Sequence, residues 1–355
     1  MITKPIDISI FMPVFNGRRY LEESIKSVLN QTFKNFELVC VDDSSTDDSF
    51  KIIKEIADKD ARIRLYQKPN GGTVPKSWNF VLPKLNGRNI TYMSQDDLMS
   101  EDNLEKMLQR QIETDADCVL PDMVFYSEGK PNNLGRFGVN GNRVLILSNK
   151  EAVLLSLKWR IHGFALWKSK LFENEKFPED SFDSDEYMVR KLFLKSNKIA
   201  FCKSTFYYRQ DNEQAITKSF GFKNYFSILR DYKINRLLLE NNFDAVIVAS
   251  KVLEMYIFYI KLYRFHLHRK GIYSEIAYKE IHSMLGTLFI KLNKEKLISF
   301  AKQKLNAQQL KINSMRVLFY NYTIFKIILF NIYFVDMIKN KVKKIKNVIL
   351  NPYNQ

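Results

Sequence analysis

Residues 36–47 read Phe36-Glu37-Leu38-Val39-Cys40-Val41-Asp42-Asp43-Ser44-Ser45-Thr46-Asp47, an apolar run that ends in acids and hydroxyls. The pattern returns at Asn89-Ile90-Thr91-Tyr92-Met93-Ser94-Gln95-Asp96-Asp97. A short apolar run bounded by turn residues predicts a buried strand, so each acidic cluster falls at a strand's carboxyl end. In an open α/β sheet, ligands sit outside those ends. Crowded carboxylates repel one another and lose hydration, and a fold that keeps them points to a ligand there. A divalent cation with a phosphorylated ligand suits such a set, because magnesium and manganese take oxygen donors. Either cluster alone reads equally as a solvated turn whose Asp caps the next helix. Two clusters, each behind a strand, weigh against that alternative.

Working outward, the first half alternates strand and helix signals, which predicts an α/β fold with a mostly parallel sheet flanked by helices. Ile8 to Met12 is a short strand stopped by Pro13, and Asn16-Gly17 makes the turn. Tyr20 to Gln31 carries Leu21, Ile25, Val28 and Leu29 at helical spacing. A second helix runs to about Ala57, with Phe50, Ile53 and Ile56 inward. Ile63 to Tyr66 is a third strand, Asn70-Gly71-Gly72 a loop, and Lys76 to Leu85 a helix. Asn103 to Thr114 is the next helix and Cys118 to Phe125 a further strand, while the Gly- and Asn-rich stretch 127–147 forms loops or a β-ribbon near the site. Past residue 215 strand signals give way to long helical stretches at 222–240, 244–268 and 272–291, which sets a boundary between a catalytic domain, 1–215, and a basic helical region, 216–355.

The 355 residues leave room for two domains, and 46% hydrophobic with 26% charged residues describes a globular chain. The net charge of +16 is unevenly placed: residues 216–355 hold 24 Lys+Arg against 8 Asp+Glu, and residues 1–215 hold 31 of each. The basic region is therefore the part expected to meet something anionic: nucleic acid, a membrane surface or a phosphorylated acceptor. Cys40, Cys118 and Cys202 lie far apart with no metal spacing, which predicts reduced thiols and no disulfide framework. Met1 to Pro5 leads almost directly into a strand, so no signal peptide is expected.

The N-terminal segment resembles family 2 glycosyltransferases of the GT-A fold. The resemblance rests on Pro13-Val14-Phe15-Asn16, Leu29-Asn30-Gln31-Thr32-Phe33, Val41 to Asp47, Asn70-Gly71-Gly72 with Asn79, and Gln95-Asp96-Asp97, in that order. Phe182-Asp183-Ser184-Asp185-Glu186-Tyr187 and Tyr207-Tyr208-Arg209-Gln210 resemble the segments that close the family's catalytic domain. Each piece is weak alone, whereas the ordered set over residues 6–215 is specific.

The resemblance implies a nucleotide-sugar donor, in particular a UDP-sugar, and a saccharide acceptor, lipid-linked in the assembly of capsule, O-antigen or another bacterial surface polysaccharide. It implies that Pro13, Phe15 and Asn16 border the nucleotide, with Phe15 against the base, that Asp43 accepts a hydrogen bond from a uracil ring nitrogen, and that Asp96 approaches the ribose. Asp97 would bind Mn2+ or Mg2+ bridging the diphosphate, since a cation lets carboxylates sit beside a polyanion. Asp185 is the candidate general base for an inverting displacement, with Asp183 and Glu186 as alternatives; a helix cap enriched in acids accounts for the same run. Lys76 stands where many relatives carry Arg, and either substitutes for it as a point charge or is merely solvated. His162 and Glu186 are candidates for touching the acceptor, although a lone His is more often structural. Trp78 reads as core.

The apolar, aromatic stretch 319–335 precedes the lysine run at 339–346. Lys326 and its Asn residues break the stretch into runs too short for a membrane span, so 319–346 fits attachment to an anionic surface, peripheral at the cytoplasmic face of the membrane, or a helix packed on the protein with a solvated tail. Three other readings compete. A nucleotidyltransferase of similar fold needs a glycine- and basic-rich loop after the first strand, absent from Pro13 to Tyr20. A nucleic-acid-binding protein would use the basic charge, but no recognition motif accompanies it, and no nucleic-acid partner is expected. A dehydrogenase would show G-x-G-x-x-G after the first strand, and none is present.

Overall fold

The structure is a computed structural model describing residues 5–129, 134–215, 218, 220–305 and 326–328. The chain divides into two compact units, Met1–Arg230 and Asp231–Gln355.

The first unit is built as β1 (Ile8–Val14), α1 (Arg18–Leu29), β2 (Phe36–Asp42), α2 (Ser49–Ala57), β3 (Ile63–Gln67), α3 (Val74–Val81), β4 (Asn89–Tyr92), β5 (Leu98–Met99), α4 (Asn103–Thr114), β6 (Cys118–Tyr126), β7 (Gly135–Arg136), α5 (Asn149–Ser156), β8 (Leu166–Lys168), α6 (Asp185–Lys195) and β9 (Ile199–Arg209). Its sheet has the order β3-β2-β1-β4-β8-β6-β9-β5, with β7 on β6. β3, β2, β1 and β4 pair in parallel, as short βαβ crossovers require, and β6 pairs in parallel with β9. β8 and β5 run antiparallel to their neighbours. Within 127–147, expected as loops or a β-ribbon, the described residues are mostly loop, with the short β6–β7 pair and an isolated bridge between Val139 and Asn142.

One strand end was misplaced by sequence. β1 continues through Pro13 to Val14 instead of stopping before it. Its pairing with β4 ends at Phe11 opposite Tyr92. The N–H that Pro13 lacks points to that side, past the last pair, so the ring removes no ladder hydrogen bond.

Two polar networks hold the sheet so that its carboxyl edge is fixed. At the opposite edge Glu37, 4% exposed, accepts from Ser9 Oγ (2.5 Å), Asn86 N (2.7 Å) and Arg64 Nη1 (2.6 Å). Burial raises its pKa, but these donors together outweigh burial and hold the carboxyl below its usual range. Gln31, fully buried, donates to the carbonyls of Ser27 and Ser100 and accepts from Leu104 N, tying α1 to the strand and helix that follow the second acidic cluster. Trp78 is core as expected, stacked on Phe177 at 4.9 Å. The three cysteines are free and buried.

α7 (Ser227–Glu240) lies mostly past Arg230, and the second unit continues as α8 (Ala245–Leu267), α9 (Glu275–Lys294) and α10 (Leu297–Lys304). Buried tyrosines of α8 spend their hydroxyls on α9: Tyr259 donates to the Leu285 carbonyl at 2.7 Å and Tyr256 to that of Leu292 at 3.3 Å. Among the described residues, no helix is long and apolar enough to cross a membrane. Apart from 326–328, the stretch 319–346 lies outside the described residues.

Candidate active site

The parallel register brings three strand ends to one edge, with Val14 opposite Asp42 and Phe11 opposite Tyr92. The loops leaving them are tied together. Phe15 N donates to Gln95 Oε1 at 2.9 Å and Gln95 Nε2 returns a bond to the Phe15 carbonyl at 3.0 Å. Asn16, in the left-handed region at φ 50°, donates its N–H to Ser45 Oγ and accepts from Thr46 N at 2.8 Å. Gly17 needs its lack of a side chain, because a Cβ there would meet Gln95 Oε1 at 2.3 Å. The Phe15 ring is left 44% exposed at the mouth of this edge.

The first acidic pair has two different environments. Asp42 closes β2 and is fully buried, accepting from Ser45 N and from Gln67 Nε2 at 3.0 Å. Asp43 is ion-paired with Lys68, whose side chain is also buried, and accepts from Gly71 N at 2.9 Å. No local pattern marks Lys68; only its register on the neighbouring chain segment puts its amine on Asp43. Lys76 sits in the first turn of α3, and its methylenes would lie 3.0 Å from a Cβ on Gly71, so it borders the same glycine loop.

The second pair is held by β9. Asp97, 1% exposed, accepts from Arg209 N at 2.9 Å through Oδ1, and its Oδ2 has no hydrogen-bond partner. Burial, then the neighbouring Asp96 charge, push its pKa well above the ordinary carboxylate value, with Arg209 opposing. A buried acceptor left unsatisfied beside a like charge is costly, and a cation on Oδ2 would remove both penalties. One carboxylate oxygen is a fitting protein contribution to magnesium or manganese, which keep water and substrate phosphate oxygens as their other ligands. Among the described residues no group of three or more His, Cys, Asp and Glu forms a cage by itself.

Arg209 organises this pair, a role that its sequence neighbourhood does not signal. Its side chain is fully buried. Nε donates to the Asp96 carbonyl at 2.6 Å and Nη2 to Glu23 at 2.5 Å, while the guanidinium lies 4.3 Å from the Tyr20 ring centroid. Asp96 Oδ2 accepts from Asn212 Nδ2 at 2.7 Å. The strand end that carries the acids is thus fixed by residues more than a hundred positions downstream, a pairing that no local periodicity encodes.

Asp185 opens α6, and its two acidic neighbours are already committed. Asp183 accepts from Ser181 and from Arg230 at 2.5 Å; Glu186 is paired with Arg190 at 2.5 Å. Burial first, then the charges of Glu186 and Asp183, push the Asp185 pKa up to about 7. Burial and the charges of Asp185, Asp97 and Asp96 together drive the Tyr92 phenol far above its ordinary value, so this one hydroxyl senses the start of α6 and the second acidic pair alike.

His162 is buried, 4% exposed. Its Nε2 lies 3.0 Å from the Pro121 carbonyl oxygen, and burial lowers its pKa to about 4.

The family model for glycosyl transferase family 2 matches residues 9–174. Glycosyltransferase GlyG of Streptococcus pneumoniae is 30% identical over 212 residues, covering 56% of this chain and 69% of that protein. GlyA of the same organism is 28% identical, and the chain spans 30% of its length. The GalNAc(5)-diNAcBac-PP-undecaprenol beta-1,3-glucosyltransferase of Campylobacter jejuni is 26% identical over 82% of this chain and 91% of that protein. Among solved structures, S. aureus TarS 1-349 in complex with UDP-GlcNAc superposes with a TM-score of 0.62 over 89% of each chain at 18% identity. The sheet order, the acidic strand ends and these likenesses agree: the chain belongs to glycosyl transferase family 2, a GT-A-fold glycosyltransferase acting on nucleotide sugars.

Proposed function

We propose that this enzyme transfers a sugar from a UDP-sugar to a saccharide acceptor with inversion, Asp185 acting as general base. The observation that carries this reading is the contrast within Asp183, Asp185 and Glu186. Two of the three are paired with arginines, whereas Asp185 is held near pH 7, where a base is most effective. Taking the proton of an acceptor hydroxyl, Asp185 would make that oxygen a nucleophile for in-line attack at the anomeric carbon.

Phe15 would lie against the base and Asp43, aligned by Lys68 and the Gly71 N–H, would accept from the uracil ring. Asp96 would approach the ribose. Asp97 Oδ2 would hold Mn2+ or Mg2+, whose chemistry is to neutralise the diphosphate as it leaves. Lys76, with a point charge in place of a guanidinium fork, would face the same diphosphate. The names of the UDP-GlcNAc-bound TarS and of the undecaprenol-linked glucosyltransferase support a UDP donor and a lipid-linked acceptor. Such an acceptor gives the basic 339–346 run a use, holding the enzyme peripherally on an anionic cytoplasmic membrane face.

The test is UDP release from UDP-glucose, UDP-galactose, UDP-GlcNAc and UDP-GalNAc with manganese. Wild type should release UDP from one of them and Asp185→Asn should not, with both proteins binding UDP. Release by Asp185→Asn at the wild-type rate would remove Asp185 as the base.

A further inference from the structure

Helix α5 ends in a way that its sequence does not favour. Trp159 N donates to the Ser156 carbonyl at 3.0 Å and Arg160 N reaches back to Leu155 at 3.0 Å. These are the two bonds of a Schellman motif, whose left-handed residue is here Trp159, at φ 53°. That position belongs to glycine, or to Asn among larger residues, because a Cβ there crowds the backbone. Of the non-glycine residues with positive φ among the described ones, Asn16, Asn140, Asn174, Asn242 and Asp115 follow the rule; Ser44, Lys296 and Trp159 depart from it, and Trp159 is the sole aromatic. A bulky side chain kept where the backbone prefers none points to a use for it.

The indole also fails to repay its position by packing. Trp159 is 42% exposed, whereas the chain's other tryptophans, Trp78 and Trp167, are 6% and 4% exposed. Its backbone is tied to polar neighbours: the Trp159 carbonyl accepts from Arg136 Nε at 2.5 Å, and the next residue, Arg160, is bonded to Asn140. The segment bearing it is fastened to the start of α6 on both sides. Arg190 joins the Ser156 carbonyl (2.9 Å) to Glu186 (2.5 Å), next to Asp185. Beyond the tryptophan, Gly163 packs so closely on Val189 that a Cβ would come to 2.4 Å. An exposed indole on a fastened segment, with guanidinium and amide groups on neighbouring residues and beside the helix that opens with Asp185, has the chemistry of a pyranose platform: the sugar's C–H face covers the indole and its hydroxyls meet the neighbouring polar groups.

We infer that Trp159, with Arg136, Asn140 and Arg160, forms an acceptor subsite that stacks a pyranose ring of the saccharide. The inference rests on the glycosyl-transfer reading above, and the experiment separates the two.

The full chain, with manganese and UDP present, is applied to an array of immobilised oligosaccharides as wild type, Trp159→Gly and Trp159→Phe, with melting temperature and UDP affinity measured in parallel. The subsite predicts that wild type retains at least one glycan, that Trp159→Gly weakens it on the order of tenfold or more, and that Trp159→Phe restores part of the loss. Glycine should leave the melting temperature unchanged or raise it, since it suits the left-handed position, and UDP affinity should hold. The retained glycan, added free, should shield wild-type tryptophan fluorescence from acrylamide, because Trp159 is the exposed one. Equal glycan binding by Trp159→Gly would overturn the subsite, and so would a lowered melting temperature, which would make Trp159 a packing residue. A wild type that binds UDP but no glycan overturns it too. A wild type that binds glycan but not UDP strikes the donor reading instead and leaves the subsite standing.

Discussion

Replacing Asp185 by Asn should stabilise the protein at pH 8 while nearly abolishing turnover. Its carboxyl titrates near 3.8 ordinarily and at about 7 in the fold, chiefly because burial and then Glu186 and Asp183 disfavour the charge. Between these values the folded state keeps a proton that the unfolded chain has lost, so stability falls as pH rises across that window and levels above it. An interval of about three pH units, at about 1.4 kcal/mol each, sets an upper limit of about 4 kcal/mol. Asp185 keeps partial access to solvent, and screening roughly halves that limit, to about 2 kcal/mol. Asn cannot ionise and escapes the penalty. The difference in melting temperature should be near zero at pH 4 and about 4–8 °C at pH 8. Calorimetric scans at fixed rate, without divalent cation, give this curve directly. A difference that is independent of pH, or that favours wild type at pH 8, would refute the environment assigned to Asp185. Turnover of the variant should drop by about two to four orders of magnitude.

Three further outcomes follow from the same geometry. The wild-type rate should rise with pH and level off above about 7, a limb that pH–rate measurements will show and that a flat profile from 5 to 9 would exclude. Arg209→Lys keeps a charge but loses the fork that reaches both the Asp96 carbonyl and Glu23; metal-dependent UDP binding should weaken about tenfold or more in calorimetry, and wild-type affinity would refute the positioning role. Glu37→Ala removes the acceptor shared by Ser9, Arg64 and the Asn86 N–H and should cost about 2–3 kcal/mol in denaturant unfolding; a cost below about 1 kcal/mol would show the network to be solvated.

Strand and helix positions in the first unit were legible because apolar runs and 3.6-residue spacing are local signals, and the acidic clusters marked the edge of the sheet that matters. Pro13 misled because its effect depends on which neighbour its missing N–H would face, a fact of register. Lys68 and Arg209 went unseen as site components for a related reason: each meets its partner through sheet order, and neither has an unusual sequence neighbourhood. The contrast among Asp183, Asp185 and Glu186 also had to wait for structure, because Arg190 and Arg230 pair with two of them. Trp159 carries no sequence signal at all, since its strain appears only in φ.

Metal-assisted UDP binding at the edge formed by β1, β2 and β4 is measured by calorimetric titration of UDP into wild type and Asp97→Ala, first with manganese and then with chelator. Wild type should bind at micromolar affinity, chelator should abolish that binding, and Asp97→Ala should lack it even with manganese, at least a hundredfold weaker on the order expected for losing a buried charged contact. Equal binding by both proteins, or wild-type binding indifferent to chelator, would contradict it.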